Sequence, residues 1–427
     1  MNPIATAAKG KGVRGLFKRA ATIQQHYGVT SAKMDGMLAH FARILREFDA
    51  PATFPITTVV LLRNRGVVEK YQAHNIEFAV HGYYHVDSSR LTLDEQFEQF
   101  SRAREMFHAR GVECIGFRCP YLRGNDETLT ALRRAGFLYD SSQGLVWELG
   151  NEIESSAYRR VLGFYDTIPA GKYPSLPRWE NDLIRIPYCL PDDEAFVDRF
   201  ELRDPAAMAK MWQALLRRTH GLGELCTLGL HPERIALCGQ ALADTLRLAR
   251  ELVPSVWLAR LDEIARWWIA RMNAQLTIVT QPNDQFELVV DGPPGTTLLA
   301  RNVVLLSSAT RWHGAYWRIS GNRVQLRSPR RPFIGISPQS SPALHSFLRQ
   351  QGYIVETADD RRRYSIFLNR PQFTAQDERA LLEEIEDGKF PLVRLARWYD
   401  GAQSALAVTG DIDALTVWDY SLRLLGR

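Results

Sequence analysis

Apolar positions along the chain change period several times, and each change marks an element. Between residues 13 and 47 they recur at helical spacing. Leu16, Phe17, Ala20 and Ile23 line one face before Gly28 ends it, and Met34, Met37, Leu38, Phe41, Ile44 and Leu45 line another behind Thr30 as a cap. Short apolar runs then alternate with helical stretches. Ala52–Ile56 and Ile76–Val80 read as strands, 92–109 as a helix, Cys114–Phe117 as a strand and 126–136 as a helix. Leu183–Ile186, 205–219, Leu225–Leu230, 239–252 and 260–273 continue the series. Repeated βα units predict parallel strands, in an open sheet or a barrel.

The pattern shifts near Ala274. Leu276–Thr280, Phe286–Val290, Thr297–Ala300, Tyr316–Ile319 and Val324–Arg327 are short strands between Gly, Pro and Asn turns, which predicts a small antiparallel module. Ser328–Pro332 holds two prolines in five residues and reads as a linker. A small α/β segment follows, with Phe333–Ser337, Tyr353–Glu356, Tyr364–Leu368 and Leu392–Leu395 as strands and 341–351 and 374–387 as helices. A last apolar run, 404–408, precedes Thr409-Gly410-Asp411-Ile412-Asp413 and a helix-like stretch from Ala414 to Leu425.

Composition narrows the class only modestly. The 427 residues suffice for two or three domains, and 45% apolar with 24% charged residues is ordinary for a globular protein. A net charge of +5, with its arginines scattered, gives no nucleic-acid footprint. The five cysteines form no CxxC pair, and their odd number argues against a complete disulfide framework. No run of about 18 apolar residues occurs, so no spanning helix is expected. A cytoplasmic location is the expectation, with peripheral membrane contact left open.

Four short motifs carry chemistry, and each sits where a predicted strand ends. His81-Gly82-Tyr83-Tyr84-His85 spaces two imidazoles four residues apart; one helical turn would bring them to the same side, suiting a metal. Asp87 would orient one imidazole or cap the turn. Phe117-Arg118-Cys119-Pro120-Tyr121 puts an arginine where it could clamp a carboxylate. His231, in Leu230-His231-Pro232, is a candidate acid or base. Asp411 and Asp413 are costly at the end of a buried strand without partners, although Asp413 could instead cap the following helix. Singly, each has a bland reading as loop histidine, surface arginine or cap. Together they occupy one end of a predicted parallel sheet, where catalytic groups collect in α/β folds.

These motifs resemble the polysaccharide deacetylase family (NodB-like, carbohydrate esterase family 4). The resemblance rests on Ala52-Thr53-Phe54-Pro55, His81…His85, Arg118-Cys119-Pro120-Tyr121 and Leu230-His231-Pro232, and runs over about 50–272. The family's acidic motif should come first, yet the corresponding region reads Gln25-His26-Tyr27-Gly28, and the motif appears instead as Asp411-Ile412-Asp413. The resemblance therefore implies an α/β fold, a distorted (β/α) NodB-like barrel that is circularly permuted. Residues 1–273 would form most of the barrel, 274–330 the β module, 331–400 the α/β segment, and 401–427 the first barrel strand and helix. Two chains completing each other's barrels is the alternative, and oligomers stay open.

Carried over, the resemblance implies Asp413, His81 and His85 as ligands of a divalent metal, Zn by expectation, with Co, Mn or Ni as substitutes. Asp411 would be the general base, Arg118 its partner and His231 the general acid, while Tyr121 and Pro120 would meet the substrate. The family's fourth, acidic motif has two candidate sources here, Trp179–Asp182 or Asp192-Asp193. The implied activity is removal of the N-acetyl group from an amino sugar in a bacterial polysaccharide or glycolipid precursor. Deformylation of a lipid-linked amino sugar and non-catalytic carbohydrate binding are the alternatives.

Overall fold

The computed structural model describes residues 27–148, 165 and 167–426. The helix expected over Leu16–Ile23 lies outside the described residues. At the centre is a curled, half-barrel sheet whose strands are β1 Ala52–Ile56, β2 Ile76–Val80, β3 Gly116–Phe117, β4 Tyr139–Asp140, β5 Gly144–Val146, β6 Ile168–Pro169, β7 Arg178–Glu180, β8 Leu183–Arg185, β9 Tyr188–Leu190, β10 Leu225–Leu230 and β11 Val256–Leu258. They are joined by the C-terminal strand Ser404–Gly410, β23 in chain order. The path runs β6-β5-β9-β10-β23-β1-β2-β3-β4-β8-β7, with β11 also paired to β23. Only the β7–β8 pairing is antiparallel.

The last strand is thus central. Ala405 to Gly410 pair with Leu225 to Leu230, while Val408 and Thr409 pair with Ala52 and Thr53 on β1. All seven residues of β23 are buried, as are the five of β1 and of β2 and the six of β10. Parallel strands covered on both faces need apolar or small residues at every position, which is why these segments read as runs and not as alternation. Helices Ala32–Glu47, Leu93–Ala109, Pro205–Leu222 and Ile235–Glu251 supply much of the cover through apolar stripes such as Met34, Leu38, Phe41 and Leu45.

Between β11 and β23, after helix Leu261–Met272, lies the inserted region. It holds β12 Gln275–Gln281, β13 Gln285–Asp291, β14 Leu298–Arg301, β15 Val304–Leu305, β16 Ala309–Arg311, β17 Tyr316–Ile319 and β18 Arg323–Arg327. β19 Arg331–Ile336, β20 Val355–Thr357, β21 Tyr364–Leu368 and β22 Leu392–Leu395 follow. The expected division near residue 330 does not separate two sheets, because β22 pairs antiparallel with β14. Nor is Ser328–Pro332 a free linker. Its last two residues open β19, and Pro332 falls where the register shifts between Arg331 and Ile334, a place that tolerates a missing N–H.

Buried polar contacts fasten this region to the sheet. Arg379 donates to both oxygens of Glu224, at 2.5 and 3.0 Å, and Glu224 also accepts from the Ser175 amide at 2.9 Å. Trp398 Nε1 donates to Gly223 O at 3.0 Å, and Arg397 reaches the carbonyls of Leu222 and Gly223 at a helix C-terminus. Unpaired carbonyls at a helix end are natural acceptors for such cations. The strand that carries the two aspartates is therefore delivered to the sheet by a firmly attached insertion.

Candidate active site

Four of the expected residues follow the last position of a parallel strand: His81 after β2, Arg118 after β3, His231 after β10, and Asp411 after β23. Parallel strands end on one side of a sheet, so their C-terminal residues meet there. A cavity of about 90 Å³ at this edge is lined by His81, His85, Tyr121, Tyr188, Asp192, His231, Asp411, Asp413 and Arg423, among others.

His81, His85 and Asp413 converge, each offering a ligand atom, all within 4.8 Å of one another. Asp413 Oδ1 lies 3.4 Å from His81 Nε2 and 3.2 Å from His85 Nε2, yet it makes no hydrogen bond. His81 Nδ1 is 2.9 Å from the Arg118 carbonyl oxygen, which can only accept. In the neutral ring the proton therefore sits on Nδ1, and the Nε2 lone pair faces Asp413. Burial, with Arg423 nearby, pushes His85 down to about 4, against the pull of Asp413, so its imidazole is neutral at pH 7. Burial pushes the Asp413 carboxyl up, but Arg423 and His85 outweigh it and hold the group well below the usual range. Nε2 of a neutral His85 and the His81 lone pair beside a carboxylate oxygen without a hydrogen bond fit a divalent cation between them.

The route to this convergence differs from expectation. Residues 81–87 form an irregular bend, not a helical turn. Gly82 has φ +81°, and a Cβ there would meet Tyr84 O at 2.7 Å, so a side chain is excluded where the chain reverses. Asp87 orients neither histidine. It accepts from Ser89 N and pairs with Arg90 and Arg123. Asp413 is not a helix cap either, since the helix starts at Val417 behind Thr416, with Asp419 completing the capping box.

Arg118 is fully buried. Its Nη1 donates to Asp411 Oδ1 at 2.5 Å and to Thr409 Oγ1 at 2.9 Å, and its Nε donates to Ser141 Oγ at 3.0 Å. The guanidinium lies 4.6 Å from the Tyr188 ring centroid. Tyr188 can lie so close because residue 229 is glycine; a Cβ there would stand 1.8 Å from the Tyr188 hydroxyl. Asp411 is thereby fixed through one oxygen at the cavity wall.

His231 Nδ1 is 2.7 Å from Asp193 Oδ1, and the His231 amide donates to Asp193 Oδ2 at 2.6 Å. Of the two candidate sources for the fourth motif, Asp192-Asp193 supplies the acid; Trp179 and Glu180 lie instead on the edge strand β7. Burial disfavours an imidazolium, but Asp193 overrides it, and His231 is raised well above its ordinary value. The neighbouring Asp192, buried beside Asp193 and accepting from Tyr188 Oη at 2.8 Å, is pushed up to about 7. The two adjacent carboxyls are thus shifted in opposite directions, Asp192 upward by burial beside Asp193 and Asp193 downward, against its own burial, by its contact with His231.

Tyr121 lines the cavity edge-on to His85, with centroids 4.6 Å apart, and adopts φ +60°. Leu122 follows at φ +56°, so two non-glycine residues share the left-handed region beside the site. Pro120, expected at the substrate, is buried and opens the short helical turn Pro120–Leu122, with Cγ 3.5 Å from the position a Cβ on Gly82 would take. Its part is to turn the chain. Sequence reasoning missed Tyr188 and Arg423. A tyrosine in a buried run and a basic residue in a last helical turn carry no distinguishing signal.

Residues 31–139 match a family model described as polysaccharide deacetylase. The peptidoglycan deacetylase-like protein FGM2 of Gibberella zeae is 32% identical over 91 residues, which is 21% of this chain and 24% of that protein. The chain thus spans about a quarter of the length of that curated relative. A solved structure assigned as a polysaccharide deacetylase of Mycobacterium smegmatis is 22% identical with a TM-score of 0.42, covering 54% of this chain and 76% of that one. A solved Puue allantoinase is 19% identical with the same TM-score of 0.42, covering 55% and 72%. These two likenesses are of outline and carry nothing about activity.

Proposed function

We propose that this chain, a NodB-like member of the polysaccharide deacetylase family, hydrolyses the N-acetyl group of an amino sugar with the help of a divalent cation. One observation carries the reading. The partnerless Asp413 oxygen and two histidine nitrogens share a cavity with an arginine-held carboxylate and an aspartate-held histidine. His81, His85 and Asp413 would hold the cation; zinc suits two imidazoles and a carboxylate, though cobalt, manganese and nickel accept the same donors. When bound, such a cation polarises an acyl oxygen and acidifies water.

The residues divide the remaining work. Asp411, pinned by Arg118, accepts the proton of the attacking water. His231, kept protonated by Asp193, donates to the departing amine, which leaves poorly without a proton. Each positioned proton-transfer group contributes roughly 10²- to 10⁴-fold. The same reading treats the chain as a circular permutant, supported by the place of its last strand between β10 and β1. It places the substrate among sugar-linked precursors of bacterial surface polysaccharide, inside the cell.

The test is metal content together with acetate release from N-acetylated amino sugars. Asp413→Ala is expected to lose both, whereas Asp411→Asn keeps the metal and loses turnover. Full activity in Asp411→Asn removes it as the base. A purified wild type that neither holds a metal nor releases acetate favours a carbohydrate-binding role instead.

A further inference from the structure

Arg423 stands in the last turn of helix Val417–Leu424 and closes one side of the cavity. A basic residue at a helix C-terminus ordinarily points to solvent and complements the dipole. This one turns inward. Its Nη1 lies 2.7 Å from Asp413 Oδ2, while Oδ1 of that carboxylate faces the two histidine nitrogens. The side chain is only 19% exposed, so water screens the pair weakly. The guanidinium also lies 5.8 Å from the Tyr121 ring and 5.6 Å from that of Tyr420. Asp413 is the only acidic partner of Arg423 among the described residues.

The helix has anchors besides this contact. Thr416 and Asp419 form its capping box, and Asp419 is held by Arg63 at 3.3 Å and Asn64 at 3.1 Å, from the helical connection between β1 and β2. Arg423 is therefore not the sole peg that docks the helix.

We propose that Arg423 is a positioning residue that shares the charge of Asp413 with the cation. It holds Oδ2, presents Oδ1 to the metal position, and keeps the cation bound less tightly than the three ligands alone would. The inference rests on the metal-hydrolase reading above. Guanidinium and cation are like charges on opposite oxygens of one carboxylate, so each weakens the other's hold. Without the arginine, the metal-free protein buries an uncompensated anion, and cation binding relieves more. A ligand carrying its full negative charge also leaves the cation a poorer Lewis acid.

The experiment compares full-length wild type, Arg423→Met and Arg423→Lys, all stripped of metal. Zn²⁺ affinity is measured by competition with a chromophoric chelator, thermal unfolding on the metal-free proteins, and kcat and KM on the reloaded ones. Arg423→Met is expected to bind Zn²⁺ on the order of ten- to hundredfold more tightly, to unfold at lower temperature without metal, and to lose kcat at nearly constant KM. Arg423→Lys should restore most of each change. Unchanged or weaker Zn²⁺ affinity in Arg423→Met overturns the proposal, as does a rise in KM with unaltered affinity, which would make Arg423 a substrate contact. Should Arg423→Met fail to fold, Arg423→Gln carries the same comparison. A wild type that takes up no Zn²⁺ overturns the functional reading and this inference together; a loaded wild type with an indifferent Arg423→Met overturns this inference alone.

Discussion

Replacing Asp193 with asparagine tests the assignment of His231 as general acid. The substitution keeps the shape and removes the charge. At 2.7 Å the carboxylate–imidazolium attraction is worth roughly 6 kcal/mol at an effective dielectric of about 20, and desolvating both groups returns several kcal/mol of it. The surplus is what raises His231 above its ordinary range. Asparagine can turn its carbonyl oxygen to the His231 amide and its NH2 to Nδ1, so the ring stays oriented but neutral, and a neutral imidazole is far too weak an acid to protonate the leaving amine. The acid form is active, so turnover is lost as pH rises through the pKa of His231. In wild type that alkaline fall lies well above the usual histidine range; in Asp193→Asn it moves down, through and below neutrality. At pH 7.5 the expected loss in kcat is roughly 10²- to 10⁴-fold, shrinking toward acid pH. The linked stability has the same sign. A raised histidine stabilises the fold fully below its unfolded pKa, near 6.5, and loses that contribution as pH climbs through the folded value. Acetate release measured from pH 5 to 10 and urea unfolding at pH 6 and 9 read the two effects. An Asp193→Asn protein with an unshifted alkaline limb and near-normal kcat would refute the reasoning.

Two further outcomes follow from the architecture. Arg379→Ala leaves Glu224 buried and unpaired at the junction of insertion and sheet, and should cost about 3–5 kcal/mol in chemical denaturation; Arg379→Ala with Glu224→Gln should recover part of it. Truncation after Gln403 removes the central strand and both aspartates, so the product should fail to unfold cooperatively and bind no Zn²⁺; a well-folded, metal-binding truncate would contradict the observed sheet order.

The sequence alone determined the βα alternation, because strands buried on both faces must be apolar at every position and helices around them at every third or fourth. It also exposed His81, Arg118, His231 and Asp411, each directly after a strand, with His85 and Asp413 a few residues beyond, since polar groups there are costly without a use. Only the tertiary structure decided which neighbours serve them. Asp193 reaches His231 because β9 lies beside β10; Arg423 reaches Asp413 because its helix folds back over the strand ends; and Tyr188 stacks on Arg118 because Gly229 leaves room. The local period likewise misjudged His81–His85, whose meeting depends on a bend at Gly82 and not on a helical turn. Patterning reports what a residue must bury; which partner it finds there is settled by strands and helices far apart in the chain.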